Sequence, residues 1–297
     1  MEFTVQPDQN GELLSRVLHS EADDVPSRVI KEAIKTRSIK VDGKRIGEDV
    51  PLCAGQRVQV FWSKSYLKTL ERRETLPIIY EDAHILVLDK PAGLICQSEQ
   101  GQATGNNALD MVKKYQEQKG KDPDMIHLCH RLDVMTGGLL LFALDEETYE
   151  AALKAFEDRT IKKVYTCEVK GCPSRKEALL TGWLRKDEKI ARVSITDYKA
   201  SGSQMIETEY RVLQPGETSL LEVNLLTGRT HQIRAHLAHI GHPILGDDKY
   251  GDRELNRTLG IRYQRLWATR LFFHADGALS YLNGKTITTN YPYGGTK

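Results

Sequence analysis

Residues 130 to 142 read HRLDVMTGGLLLF, an ionisable cluster set directly against an apolar run with only a Thr-Gly-Gly corner between them. A carboxylate at the edge of a core is costly. Desolvation raises its pKa, and an unpaired buried charge costs several kcal/mol. Asp133 therefore needs a cationic partner, and an ionised carboxylate held beside an apolar strand is the kind of group that nucleophilic and general-base chemistry uses.

The stretch LLTGRTHQIRAHLAHIGH, residues 225 to 242, offers that partner. If a helix runs from about Thr230 to Ile240, then Ile233, Leu237 and Ile240 form its buried stripe. Arg234 lies at the margin of that stripe, able to reach Asp133. Arg229 falls at the start of the same helix, where the macrodipole disfavours a cation by roughly 0.3 to 1 kcal/mol. A helix N-terminus joined to an arginine favours a bound anion such as phosphate; the alternative is an arginine pointing into solvent. Tyr165, in KKVYTCEVKG, shares a strand face with Cys167 and Val169. An inward tyrosine is core filler or, beside an acid, a platform on which a base stacks. His231, His236, His239 and His242 raise the question of a metal, but no HExxH pattern and no nearby cysteine pair accompanies them, so no metal ligand is assigned.

These residues need elements to hold them. HILVLDK is a short apolar strand closed by Lys90-Pro91 and Gly93, and KVYTCEVKG, ETEYRVL, LLEVNLL and LSYL read as further strands. Helices fit ALDMVKKYQEQK, DEETYEAALKAFEDR with Asp145 as its cap, and THQIRAHLAHIG, ended by Gly241 with Pro243 beyond. Strands outnumber helices without regular alternation, which predicts an α+β domain built on a mixed, largely antiparallel sheet with flanking helices. It spans residues 77–297, after a polar linker at 63–76.

Residues 1–62 form a smaller α/β unit. Val29, Ile30, Ala33 and Ile34 recur at helical spacing, Ser27 is placed to cap that helix, and Asp42-Gly43 joins two short strands. Arg28, Lys31, Lys35, Arg37, Lys40, Lys44 and Arg45 are opposed only by Glu32 and Asp42 between residues 27 and 45. A basic helix followed by a basic hairpin makes a surface that gains affinity for phosphates without reading sequence.

The totals frame these readings. The 297 residues carry a formal charge of +1, with 40% hydrophobic and 28% charged side chains. Such a balance gives no global argument for a nucleic-acid partner, so the local basic cluster must carry it. No apolar stretch approaches the roughly 20 residues that span a bilayer, and the N-terminus lacks the basic and apolar regions of a secretion signal. The expectation is a cytoplasmic protein away from membranes. The odd set of Cys53, Cys96, Cys129, Cys167 and Cys172 suits reduced thiols.

The second domain resembles the RluA-type pseudouridine synthases. HRLDVMTGGLLLFA is similar to that family's catalytic signature and LLTGRTHQIRAHLAHIGHPILGDDKYG to its second motif, with YEDAHILVLDKPAGL and KKVYTCEVKG in order beside them. Gly137 stands where the family usually has serine. Residues 1–62 resemble the S4 RNA-binding domain, with Asp42 and Gln56 where that family usually has Asn and Asp. The resemblance implies an isomerase acting on uridines of structured RNA without a cofactor. Asp133 would be its essential aspartate, Tyr165 the tyrosine stacked on the uracil, Arg234 the arginine paired with the aspartate, and Arg131 the arginine that helps displace the base. It favours ribosomal RNA of the large subunit over transfer RNA, with a monomer as the default. Two other readings stand beside it: a non-catalytic RNA-binding or ribosome-assembly factor, and a metal-dependent RNA hydrolase using Asp133 and the histidines.

Overall fold

A computed structural model describes residues 1–22, 25, 27–63, 76–98, 107–187 and 192–294, with the side chains of Ser27 and Arg28 outside that description. The expected linker therefore lies almost wholly outside the described residues, as do the capping role of Ser27 and the placement of the Arg28 side chain. Contacts divide the chain between Leu76 and Pro77 into two units.

In the first unit, strands β1 (Glu2–Thr4), β2 (Ile39–Val41), β3 (Lys44–Ile46) and β4 (Arg57–Val60) form an antiparallel sheet in the order β1-β4-β2-β3. Helices α1 (Leu14–Glu21) and α2 (Ser27–Lys35) bury Leu14, Val17, Leu18, Ile30 and Ile34 in one core with Ile39 and Val58. Asp42 and Gly43 take φ values of 50° and 79°, the two left-handed residues that a tight hairpin turn requires. Gln56 Nε2 donates to the Asp42 carboxylate at 3.1 Å, so the two positions that depart from the S4 pattern bond to each other. Lys31, Lys35, Arg37, Lys44 and Arg45 are exposed. Arg45 Nη1 donates to the Arg37 carbonyl at 2.7 Å, tying the hairpin to the end of α2.

The second unit is built on an eleven-stranded sheet. Its strands are β5 (Ile78–Glu81), β6 (Ile85–Lys90), β7 (His127–Leu128), β8 (Gly137–Ala143), β9 (Ile161–Lys170), β10 (Glu177–Asp187), β11 (Arg192–Thr196), β12 (Gln204–Gln214), β13 (Thr218–Leu225), β14 (Leu266–Phe273) and β15 (Thr286–Thr288). The order is β11-β10-β12-β13-β9-β14-β8-β6-β5, with β15 on β14 and β7 on β8. Among the described strand ladders only that of β14 with β8 is parallel. The unit is thus α+β with a mixed, largely antiparallel sheet. All seven residues of β8 are buried, as a continuous apolar run covered on both faces requires.

Helix α3 (Ala108–Gln118) is capped by Asn107. Helix α4 (Glu146–Glu157) is capped by Asp145, whose carboxylate accepts from Thr148 N at 2.8 Å. Ala152 and Ala155 of α4 pack with Leu139, Leu141, Leu271 and Phe273. Helix α5 (Gln232–His239) lies on the other cluster, where Ala235 meets Leu184, Val193 and Ile206, and α6 (Arg253–Thr258) follows.

Two expectations need correction. LSYL is no strand: Gly277–Leu282 is a 3-10 helix, because Leu279 and Leu282 are buried at a spacing of three while Ser280 and Tyr281 are exposed. Helix α5 begins at Gln232 and not at Thr230, because His231 adopts a left-handed backbone with φ 54°. Strands β10, β11 and β14 are not read from the sequence; β14 is buried on both faces over residues 266–269, so its residues show no apolar-polar alternation.

Candidate active site

Asp133 stands in the corner that leads into β8. The corner is tight because Thr136 N donates to the Asp133 carbonyl at 3.0 Å and because Gly138, at φ 107°, lies against the backbone of Ala268. A Cβ at Gly138 would sit 2.3 Å from the Ala268 carbonyl oxygen, so only glycine allows β8 and β14 to approach this closely. The loop is also held from the other side. Lys90, fully buried, donates from Nζ to the carbonyls of Pro91, Leu94 and Val134 at 3.2, 2.8 and 3.1 Å. Leu132 N donates to Cys96 Sγ at 3.3 Å. Burial pushes the Lys90 pKa down to about 8, opposed by the nearby Cys96 and Asp133.

Arg234 Nη1 donates to Asp133 Oδ2 at 2.9 Å across 101 residues of chain. The arginine is not marginal, as the helical stripe implied, but buried with the rest of residues 232–237. Asp247 takes two of its other donors, Nε reaching Oδ2 at 2.7 Å and Nη2 reaching Oδ1 at 3.0 Å, a bidentate pair, and Nη2 also donates to Asp248 Oδ1 at 3.3 Å. Asp247 in turn accepts from the backbone of Lys249 and Tyr250, both at 2.9 Å. Burial opposes the Arg234 charge, but the hydrogen bond and charge of Asp247, followed by those of Asp133, outweigh it and raise its pKa above the ordinary value. Burial likewise pushes Asp247 up, and Arg234 more than reverses this, leaving its carboxyl below the usual range. Arg234 also lies over the Tyr250 ring, 5.3 Å from its centroid, and Tyr250 OH meets His231 Nδ1 at 3.0 Å.

Tyr165 and Arg131 line the cleft around Asp133, together with Lys163, Arg229 and His231. Tyr165 is buried, and burial followed by the Asp133 charge pushes its phenol above the ordinary value. The hydroxyl therefore keeps its proton at neutral pH. Arg229 is exposed and does not begin the helix. Gln232 Oε1 turns back to accept from Arg229 N at 3.0 Å and from Thr227 at 2.8 Å, so the chain enters α5 through a capped turn. The macrodipole argument for an anion at Arg229 therefore lapses; its place in the cleft stands. The four histidines disperse: His231 lies 4.0 Å from Asp133, while His236, His239 and His242 meet Thr208, Asp197 and the Lys170 carbonyl.

Sequence reasoning missed Lys163, His231, Asp247 and Tyr250. Lys163 had a signal, since it stands two residues before Tyr165 and so on the same strand face.

The family model for RNA pseudouridylate synthase matches residues 84–239, a span that contains Asp133, Tyr165 and Arg234. The chain belongs to that family. As a pseudouridine synthase it is an enzyme that isomerises uridine in RNA. It is 29% identical over 283 residues to the ribosomal large subunit pseudouridine synthase C of Vibrio parahaemolyticus, with 91% of this chain and 85% of that protein covered. It is 29% identical over 276 residues to the uncharacterized RNA pseudouridine synthase YlyB of Bacillus subtilis, covering 92% and 89%. Among solved structures, human RNA pseudouridylate synthase domain containing 4 has a TM-score of 0.61 at 24% identity, covering 77% of this chain and 94% of that one.

Proposed function

We propose that this synthase modifies uridine in large-subunit ribosomal RNA, with Asp133 as the group that acts on the sugar. The reaction breaks the N1–C1′ bond of uridine and forms a C5–C1′ bond; C5 loses a proton, N1 gains one, and no electrons leave the substrate. It requires an ionised carboxylate beside the sugar, whether to attack it or to abstract a sugar proton.

The observation that carries the reading is the division of the Arg234 donors. Asp247 holds the guanidinium through Nε and Nη2, Nη2 also reaches Asp248, and Nη1 donates to Asp133 Oδ2, while Asp133 Oδ1 has no hydrogen-bond partner among the described residues. One oxygen is oriented and the other is available. The target base must leave its stack, at a cost of a few kcal/mol that a stacking ring and an inserted side chain offset. Tyr165 and Arg131 supply these, with Tyr165 as a neutral phenol. Lys31, Lys35, Arg37 and Lys44, with Arg28, would hold RNA phosphates in an S4-like first unit. The same reading expects a cytoplasmic, monomeric enzyme. Ribosomal RNA is favoured over transfer RNA because the relatives of known substrate are named for the large ribosomal subunit.

The test is release of tritium from uracil C5 in ribosomal RNA, without added metal. Wild type should release label and Asp133→Asn should not. Equal release by both would remove Asp133 from the chemistry.

A further inference from the structure

The proposed reaction leaves two cations of the cleft unused, Lys163 and Arg229. Lys163 lies on the Tyr165 face of β9 with its ammonium over the Phe156 ring, 4.9 Å from the centroid. Among the described residues no carboxylate pairs with it. The His130 ring packs edge-on against Phe156, 4.9 Å between centroids, and burial and the Lys163 charge keep it neutral. Burial pushes the Lys163 pKa down to about 8. An ammonium drawn out of water without an anion is unfavourable unless the substrate brings one.

A second cavity opens beside the cleft. The space around Asp133 measures ≈ 80 Å³, whereas its neighbour measures ≈ 620 Å³. The smaller leaves no room beyond one base, and the larger can take a whole nucleoside. The two share Lys163, Leu225, Gly228 and Arg229. Both shared cations therefore stand on the wall between the cavities. The larger one also presents Phe156, Asn224 and Thr227, an apolar ring and polar edges of the kind that bases use. Glu157 and Glu209 line it too, balanced by Arg159 and Lys162, so the two cations not matched within this cavity are those on the shared wall.

We infer that Lys163 and Arg229 clamp the phosphodiester that joins the target uridine to one adjacent nucleotide, whose nucleoside occupies the larger cavity. This rests on the reading that Asp133 receives a displaced uridine. It adds a second nucleotide to the recognised substrate and gives the half-buried Lys163 its anion.

The test combines turnover with a linkage-specific binding cycle. Tritium release from ribosomal RNA is measured for wild type, Lys163→Met, Lys163→Arg and Arg229→Gln. Lys163→Met should raise KM about tenfold, more than it lowers kcat, and Lys163→Arg should restore most of the loss. In parallel, binding is measured to a short RNA with one uridine, carrying either natural phosphates or a single neutral methylphosphonate on its 5′ or 3′ side. One neutral linkage should weaken wild-type binding about tenfold and leave Lys163→Met unaffected. Losses that multiply, or a Lys163→Met protein that binds as wild type, would overturn the clamp. Absence of turnover by wild type would instead sink the proposed function, while the binding cycle still judges the clamp.

Discussion

Arg234 serves three carboxylates of different exposure, Asp247, Asp133 and the exposed Asp248. The Asp247 side chain is fully buried and that of Asp133 is 24% exposed, so the pair with Asp247 is structural while the pair with Asp133 faces the cleft. Asp247 is a positioning residue, acting on Asp133 only through the plane of the guanidinium. Asp247→Asn keeps the shape and removes the charge. It should lower kcat tenfold or more while RNA affinity changes little, and lower unfolding free energy in urea by about 3 kcal/mol, the scale for breaking a buried pair. The pH dependence has a definite sign. Because Arg234 holds the Asp247 carboxyl below its ordinary range, its contribution to stability is complete above that range and is lost as pH falls through the lowered value. The Asn variant should lack that part of the acid loss.

At the scale of elements, the junction of β8 with β14 decides where Asp133 can stand. The resemblance expects serine at position 137, and Trp267 explains why this chain has glycine. A Cβ at Gly137 would lie 2.2 Å from the Trp267 ring, and that ring is anchored by Nε1 donating to Asp89 at 3.0 Å. Gly137→Ser alone should destabilise by about 1 to 3 kcal/mol through overpacking. Combined with Trp267→Val, it should cost less than the sum of the two single changes by about 1 kcal/mol or more, as residues in contact do. Simple additivity in denaturant unfolding would show that the tryptophan does not exclude the serine.

Over the whole molecule, a charge of +1 conceals a local excess of cations between residues 27 and 45. Lys31 and Lys35 are exposed one helical turn apart on α2, and Lys44 is exposed on β3. If these lysines hold phosphates, replacing all three by Gln should weaken binding by similar factors on every RNA sequence. The slope of log affinity against log salt should become shallower by about 0.7 for each lysine on single-stranded RNA. A loss confined to one RNA sequence would argue instead for base contacts.

What the sequence determined by itself was local chemistry: an acid against an apolar strand that must find a cation, the Asp145 cap of α4, the Asp42-Gly43 turn, and the four motifs of the family. These follow from a few neighbouring residues, whose hydrogen bonding and periodicity are set within one or two turns of chain. What only the tertiary structure decided was who meets whom. The bidentate Asp247, the start of α5 at Gln232, the 3-10 turn at Gly277–Leu282 and the cavity behind Lys163 all depend on strand order and on side chains that bond back across loops. Arg234 and Asp133 were each legible, but the sharing of the guanidinium among Asp133, Asp247 and Asp248 was not. That sharing arises where α5, the β8 corner and the Asp247 loop converge, and no stretch of sequence contains all three.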